Sequence, residues 1–493
     1  MNAPASAALD IEVQRATLNP RTRLLLEGRI VPTLLRMAWP NILVMVAQAA
    51  TGLIETWFIS RLGTDALAGM ALVFPGFMMM QMLSAGAVGG GISSAIARAL
   101  GSGRREDADA LVMHAIIVNV SLGLLFTFLF IAFGPALYDA MGGEGESLKA
   151  ALAYSDIAFA GAVLVWLMNA LASALRGTGN MLVPSLAVCL GVILLVPLSP
   201  LLIFGFGPVP AMGIAGGAIA VLLTTALTTA GMAWYLWSGR SVVRPVIPKL
   251  LKILFMDILR VGLVGSINTL MTTLVFALAT ALVGFAGGPN AVAGYGTGAR
   301  LEYLLIPLVF GLGAPMVALV GTNIGAGQTA RALRIALTGG AIAFALTEAI
   351  GLVVAIWPHA WLTLFGSDAR MLETGEAYLR IVGPAYGFFG LGLSLYFASQ
   401  GAGKLAWPLI GSLLRLVIGI GGGWLVLRLT GSLVWLFAAL TLALVIYGVV
   451  VTGAIASGAW FRNDHKKKAI TTEDTEEKQG GKNATGLHGF VER

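Results

Sequence analysis

An apolar segment of this chain is written twice. Residues 65–103 read DALAGMALVFPGFMMMQMLSAGAVGGGISSAIARALGSG, and residues 290–327 read NAVAGYGTGARLEYLLIPLVFGLGAPMVALVGTNIGAG. Asp65–Gly69 aligns with Asn290–Gly294 at an offset of 225 (290 − 65). Gly101-Ser102-Gly103 aligns with Gly325-Ala326-Gly327 at 224 (325 − 101), so one residue is lost in between. Arg176-Gly177-Thr178-Gly179 and Pro184 return as Gln400-Gly401-Ala402-Gly403 and Pro408, again at 224. So long a period in apolar sequence predicts a duplicated membrane bundle, whose central site opens alternately to two sides.

The rest of the chain is built for lipid. Hydrophobic residues make up 57% and charged residues 11%, against about 25% charged in a soluble domain. Twelve apolar stretches are long enough to cross about 30 Å of hydrocarbon. Their approximate limits are 37–60, 67–96, 111–134, 150–173, 182–205, 212–236, 258–285, 291–322, 331–357, 376–399, 408–430 and 432–458. In lipid every backbone polar group must be satisfied within the protein, so an open chain crosses as helices. Pro75, Pro197, Pro307 and Pro315 fall inside these stretches, where membrane helices tolerate them. Six spans per repeat is an even number, so both halves enter from the same side. The sequence therefore predicts an all-α membrane protein of twelve transmembrane helices, in two parallel six-helix lobes related by a pseudo-two-fold axis along the membrane normal. The expected division is an N-terminal segment 1–36, an N-lobe 37–236, a linker 237–257, a C-lobe 258–458 and a disordered tail 459–493. The cleft between lobes is the expected substrate site.

Basic residues orient the bundle. With the N-terminus inside, most of the 31 Lys and Arg residues fall in cytoplasmic segments, and Arg61, Lys149, Arg370, Arg380 and Arg428 fall outside. The bias places both termini in the cytoplasm. The net charge of +7 then belongs to loops facing anionic membrane lipid, not to nucleic-acid binding. Trp39, Trp234, Trp237, Trp357, Trp361, Trp407 and Trp460 sit near span ends, as an aromatic belt would. Residues 1–30 have no apolar core of a secretory signal. The single cysteine, Cys189, leaves no disulfide framework and is expected to be a small buried hydrophobe.

Enzymatic chemistry finds no support. There is no phosphate-binding Walker loop, and His114, His359, His465 and His488 are scattered without metal-ligand spacing. His114 is expected to be solvated at the cytoplasmic face. Met212–Gly217 is glycine-rich but opens a span, and reads as helix packing.

Several motifs in order carry a resemblance to a known family. They are Pro40 and Gly52-Leu53-Ile54-Glu55-Thr56 in span 1, Ala66-Leu67-Ala68-Gly69 opening span 2, the paired Gly101-Ser102-Gly103 and Gly325-Ala326-Gly327, and Leu175-Arg176-Gly177-Thr178-Gly179-Asn180 after span 4. Over roughly residues 30–460 the chain resembles the multidrug and toxic compound extrusion (MATE) transporters, nearer their DinF-like bacterial branch. The resemblance implies a monomer of the bacterial inner membrane that exports bulky, often cationic or amphipathic compounds. It would act as a secondary antiporter by alternating access, without a cofactor.

Glu55 is the leading candidate for ion coupling. A carboxylate within a span is costly and marks function by default, and burial favours its protonated form, so it can load and release a proton. The alternative is a side chain that snorkels outward. The resemblance places Glu55 at the family's membrane acid, usually Asp. Pro40, fifteen residues earlier, frees a backbone carbonyl where the helix can hinge, and Asn169 in span 4 matches a further polar position. Family members often carry an Asn and, four residues on, an Asp near the end of span 5; here Leu195 and Ser199 stand there. Too few oxygens then remain for sodium, which favours the proton as coupling ion over Na+. Arg300 and Glu302 lie two apart and do not face each other on a helix, so each has partners elsewhere. Arg415 is expected to pair across helices with an acid such as Glu302 or Glu348. Gln48, Gln81 and Asn268 read first as interhelical glue and second as cleft contacts. A lipid-linked oligosaccharide flippase is the rival function, and would want a strongly cationic cleft.

Overall fold

The computed structural model describes residues 19–247 and 249–460. The expected disorder of the tail falls, from residue 461 on, outside the described residues, as do residues 1–18. A short helix, Pro20–Glu27, comes first, with Asn19 capping it through Arg21 N at 3.0 Å.

Twelve spans follow. Span 1 is Ile30–Ser60, span 2 Thr64–Gly101 and span 3 Arg105–Ala140. Span 4 is a helix pair, Gly145–Ala160 and Ala162–Gly177, bent by 46°. Spans 5 and 6 are Leu182–Phe204 and Ile214–Trp237. Lys252–Gly325 is two helices that meet at Gly288, where φ is 69° and glycine meets no steric cost, and so supplies spans 7 and 8. Spans 9 to 12 are Thr329–Ile356, Ala369–Ala402, Ala406–Thr430 and Leu433–Ala456. Helices 1 and 7 begin at Ile30 and Lys252, before the apolar limits at 37 and 258. Hydropathy sees the lipid-crossing part alone, whereas the helix carries on through polar residues such as Lys252 and Asp257.

The repeat is visible as repeated contacts. A Cβ at Gly69 would lie 2.7 Å from Ala150 Cβ and from Ala151 N. A Cβ at Gly294 would lie 3.0 Å from Thr374 Cβ and 2.9 Å from Gly375 N. Thr374 and Gly375 are the counterparts of Ala150 and Ala151 at 224 (374 − 150), so spans 2 and 4 cross where spans 8 and 10 cross. At the other end, Gly101 packs on the Thr322 carbonyl and Gly325 on the Arg98 carbonyl, each with no room for a Cβ. Arg98 and Thr322 are themselves counterparts (322 − 98 = 224). A contact that returns on itself in this way requires a two-fold axis between the ends of spans 2 and 8. The residue that the C-lobe lacks is taken up in span 2 by a π-helical turn, Met82–Val88. A π turn absorbs one extra residue while leaving its flanking helices in place.

The lobes interlock by exchanging helix starts. Leu34, Met37 and Ala38 of span 1 pack in the C-lobe core beside Met316 and Leu319. In span 7, Leu254 and Ile258 (the counterpart of Leu34, 258 − 34 = 224) pack in the N-lobe core beside Leu171 and Leu175. Asn41 Nδ2 donates to Phe310 O at 3.1 Å, Gln400 Nε2 donates to Gly86 O at 3.1 Å, and Arg98 pairs with Asp257 at 2.6 Å. Arg98 also donates to Ser94 Oγ, and Ser94 Oγ to Gln400 O. All these ties lie toward the end bearing Arg98, Arg104 and Arg331. The opposite half of span 2, Thr64–Gln81, packs on spans 1, 3 and 4 of its own lobe. The lobes are thus joined at the basic end and part toward the other.

Three local expectations are corrected. His114 is fully buried: its Nδ1 donates to Ala110 O at 2.8 Å, and its Nε2 accepts Leu251 N at 3.0 Å. It clasps the linker to span 3, a long-range partner that local sequence does not reveal. Trp460 is in the core rather than the belt, 2% exposed and packed with Tyr447 and Ile455. Cys189 is half-buried, on a face of span 5 where an apolar run meets lipid as readily as core.

Candidate functional site

Glu55 lies in the N-lobe half of span 1 and is 2% exposed. It does not snorkel. Neither carboxylate oxygen has a hydrogen-bond partner among the described residues. Space for it exists because Gly217 in span 6 has no side chain: a Cβ there would stand 2.9 Å from Glu55 Oε2. Ile59 and Ile203 flank the same gap. Ser199 in span 5 approaches the carboxylate, and Tyr154 in span 4 is close enough to feel its charge. Ser199 Oγ is likewise buried without a good hydrogen bond. A lone acid, apolar walls, one hydroxyl and no cation make a chamber with nothing to balance a fixed negative charge. Leu195, one turn earlier on span 5, is 1% exposed and supplies no oxygen.

Asn169 belongs to a different cluster. Its Nδ2 donates to Gln81 Oε1 at 3.0 Å and to Ser84 Oγ at 2.8 Å, tying span 4 to the π turn of span 2. Among the described residues no hydrogen bond joins Asn169 to Glu55. Pro40 is buried in span 1 between the segment seated in the C-lobe and the segment that carries Glu55. Gln48, half-buried in the same span, makes no side-chain hydrogen bond among the described residues.

The remaining polar residues gather in the C-lobe. Arg415 Nη2 meets Glu302 Oε1 at 2.6 Å, and Tyr378 donates its hydroxyl to Glu302 Oε2 at 3.1 Å. The guanidinium sits over Phe389 at 5.0 Å and Phe276 at 5.6 Å. The pair borders a small, water-sized cavity. Ser412 donates to Asn268 Oδ1 at 2.5 Å, joining spans 11 and 7. Glu348 accepts Gly387 N at 2.7 Å. Arg300 is exposed and stacks on Phe365 at 5.2 Å, away from Glu302.

Sequence reasoning missed Tyr154, Gly217 and a second cavity. It is a water-sized gap that lies between the lobes and is lined by spans 2, 4, 8 and 10, with Arg176, Phe310 and Gln400 on its wall. The repeat register carried the signal, because Arg176 and Gln400 are counterparts.

The family model described as MatE matches residues 40–201 and 266–425, one segment in each repeat. The FAD transporter of Shewanella oneidensis is 29% identical over 389 residues, 76% of this chain and 82% of its own length. The probable multidrug resistance protein NorM of Thermotoga maritima is 26% identical over 76% of this chain and 81% of its own. A multidrug resistance MATE transporter of the MOP superfamily, solved in an outward-facing conformation, superposes with a TM-score of 0.81 at 25% identity, over 90% of this chain and all of the other.

Proposed function

The chain belongs to the MatE family, and from its buried, unpartnered carboxylate we propose that it is a proton-coupled efflux antiporter for small drug-like molecules. Members of this family are transporters, not enzymes, and the long apolar helices make this one a multi-pass membrane protein. The observation that carries the coupling reading is Glu55, 2% exposed with no cation and no hydrogen bond on either oxygen. A proton needs one such carboxylate, whereas sodium asks for several oxygens, and Ser199 is a single hydroxyl.

The mechanism follows from the shape. We take the basic end as cytoplasmic, with the protein acting as a monomer in the inner membrane and both termini inside. The lobes are then sealed toward the cytoplasm and parted toward the outside, a state from which substrate leaves and a proton enters. Protonating Glu55 removes the charge that its apolar chamber penalises. Span 1, seated in both lobes, bends at Pro40 and carries that change to the interface. Reversal opens the cytoplasmic side for the next substrate.

Proteoliposomes loaded with ethidium test this reading. A pH gradient alone should drive ethidium movement, and a sodium gradient at clamped pH should not. Movement under sodium alone would replace the proton with sodium. Movement under neither would remove antiport.

A further inference from the structure

The two lobes are entered by segments of different build. Before span 7, the stretch 244–251 of the linker has no helix among its described residues. Its repeat counterpart before span 1 (244 − 20 = 224) is the helix Pro20–Glu27. That helix buries Thr22, Leu25 and Leu26, which lie on one face at i, i+3 and i+4. The face lies across the seam between the lobes at the basic end. On the C-lobe side, buried Asn323 at the end of span 8 donates its Nδ2 to Leu25 O at 3.1 Å. Arg331 at the start of span 9 donates its Nη2 to Gly28 O. On the N-lobe side, the helix meets the end of span 2, and Leu25 fills the hollow at Gly179, after span 4. A Cβ there would stand 2.9 Å from Leu25 Cδ1.

The repeat builds this bridge once. The counterpart of Asn323 is Ala99 (323 − 99 = 224), which has no amide to offer. The counterpart of Arg331 is Asp107 (331 − 107 = 224), which pairs with Arg104 at 2.9 Å. Leu25 falls on Lys249, which is exposed. The linker is tied instead to span 3, through Asp109 to Arg244 N at 2.8 Å and through His114 to Leu251 N. Leu25 O is one of the acceptors that a helix end leaves open, and Asn323 closes it from the C-lobe. A helix whose carbonyls are held by one lobe and whose leucine is held by the other cannot stay seated on both when the lobes part at that end.

We propose that the helix Pro20–Glu27 is a cytoplasmic latch, which holds the lobes together at the basic end and must lift from the N-lobe before that end opens. Asn323 and Arg331 keep the helix on the C-lobe, so the contact that breaks is Leu25 on Gly179. The latch therefore biases the protein toward the state that is closed at the basic end, and weakening it shifts the balance toward the opposite state. The proposal rests on the rocking motion of the efflux reading and not on its coupling ion or substrate.

Spin labels at Glu144 and Asp368, at the end away from the latch, read the balance without touching it. They are placed in the full chain with Cys189→Ser and reconstituted in liposomes, where the shorter of two distances marks molecules open at the basic end. Leu25→Ala and Asn323→Ala should each raise the ratio of short to long distance by about threefold or more. Leu395→Ala is the control. Leu395 is fully buried against Gly340 inside the C-lobe, so its truncation should lower the thermal midpoint and leave the ratio unchanged. In unlabelled protein with Cys189→Ser, Leu25→Cys should react with a maleimide at a rate that follows the short-distance population as pH is varied, since Leu25 is 3% exposed when seated. An unchanged ratio in Leu25→Ala and Asn323→Ala, an equal rise in Leu395→Ala, or a maleimide rate independent of that population would each overturn the latch. If Leu25→Ala does not fold, Asn323→Ala and the Leu25→Cys rate decide. Ethidium movement in the proteoliposomes above reads the efflux function separately, so either claim can fail alone.

Discussion

At the scale of single residues, what decides a role is whether a buried charge has company. Glu302 has Arg415 and Tyr378, and the three together join three helices of the C-lobe. Removing one partner strands the other, which typically costs about 3–5 kcal/mol. Arg415→Met should therefore lower the thermal midpoint of the detergent-solubilised protein markedly, and Arg415→Met with Glu302→Leu should recover most of the loss. A double variant as unstable as the single would show that the pair does more than balance charge. Glu55 has no such company. Glu55→Gln should insert and fold as wild type but lose at least tenfold in gradient-driven ethidium export, since Gln keeps the volume and cannot ionise. Wild-type export by that variant would remove Glu55 from the coupling path. The sequence displayed both acids plainly, because a carboxylate in apolar sequence stands out. It could not display their surroundings. Ser199 was reached through the family resemblance, but Tyr154 and Gly217 come to Glu55 from two further spans, and nothing in their own sequence neighbourhoods announces that meeting.

At the scale of elements, the repeat register explains what hydropathy cannot. The offset falls from 225 at Gly69 to 224 by Gly101, and the π turn at Met82–Val88 is where the extra residue goes. Span 8 does without it. Deleting Ala85 should turn that segment into an ordinary α-helix like span 8 and leave a monodisperse, folded protein, as read by size-exclusion chromatography. Deleting Ile96, in the tightly packed half beyond, should rotate Gly101 off the Thr322 carbonyl and abolish folded material. Equal damage from both deletions would contradict the insertion account. The span count and the parallel repeat were legible because length and apolarity decide them. The helix starts at Ile30 and Lys252 were not, and neither was the clasp of His114 on Leu251, since tertiary contacts override local polarity at helix ends.

At the scale of the whole molecule, two interlocked lobes with one shared axis predict opposed movements at the two ends. Ser102 and Ala326 are counterparts beside the sealed basic end, and Glu144 and Asp368 are counterparts at the parted end, each preceding a helix that it caps. Spin labels at 102 and 326 should show a second, longer distance in reconstituted protein. Labels at 144 and 368 should show a second, shorter one, and conditions that raise one population should raise the other. A single fixed distance at both pairs would contradict rocking of rigid lobes. The central claim, that one carboxyl group gives up its proton when substrate is taken up, is tested most directly by counting protons. Ethidium added to the purified protein in weakly buffered detergent should release up to about one proton per molecule, read with a pH indicator, and Glu55→Gln should release none. No release from the wild type, or undiminished release from Glu55→Gln, would contradict the account.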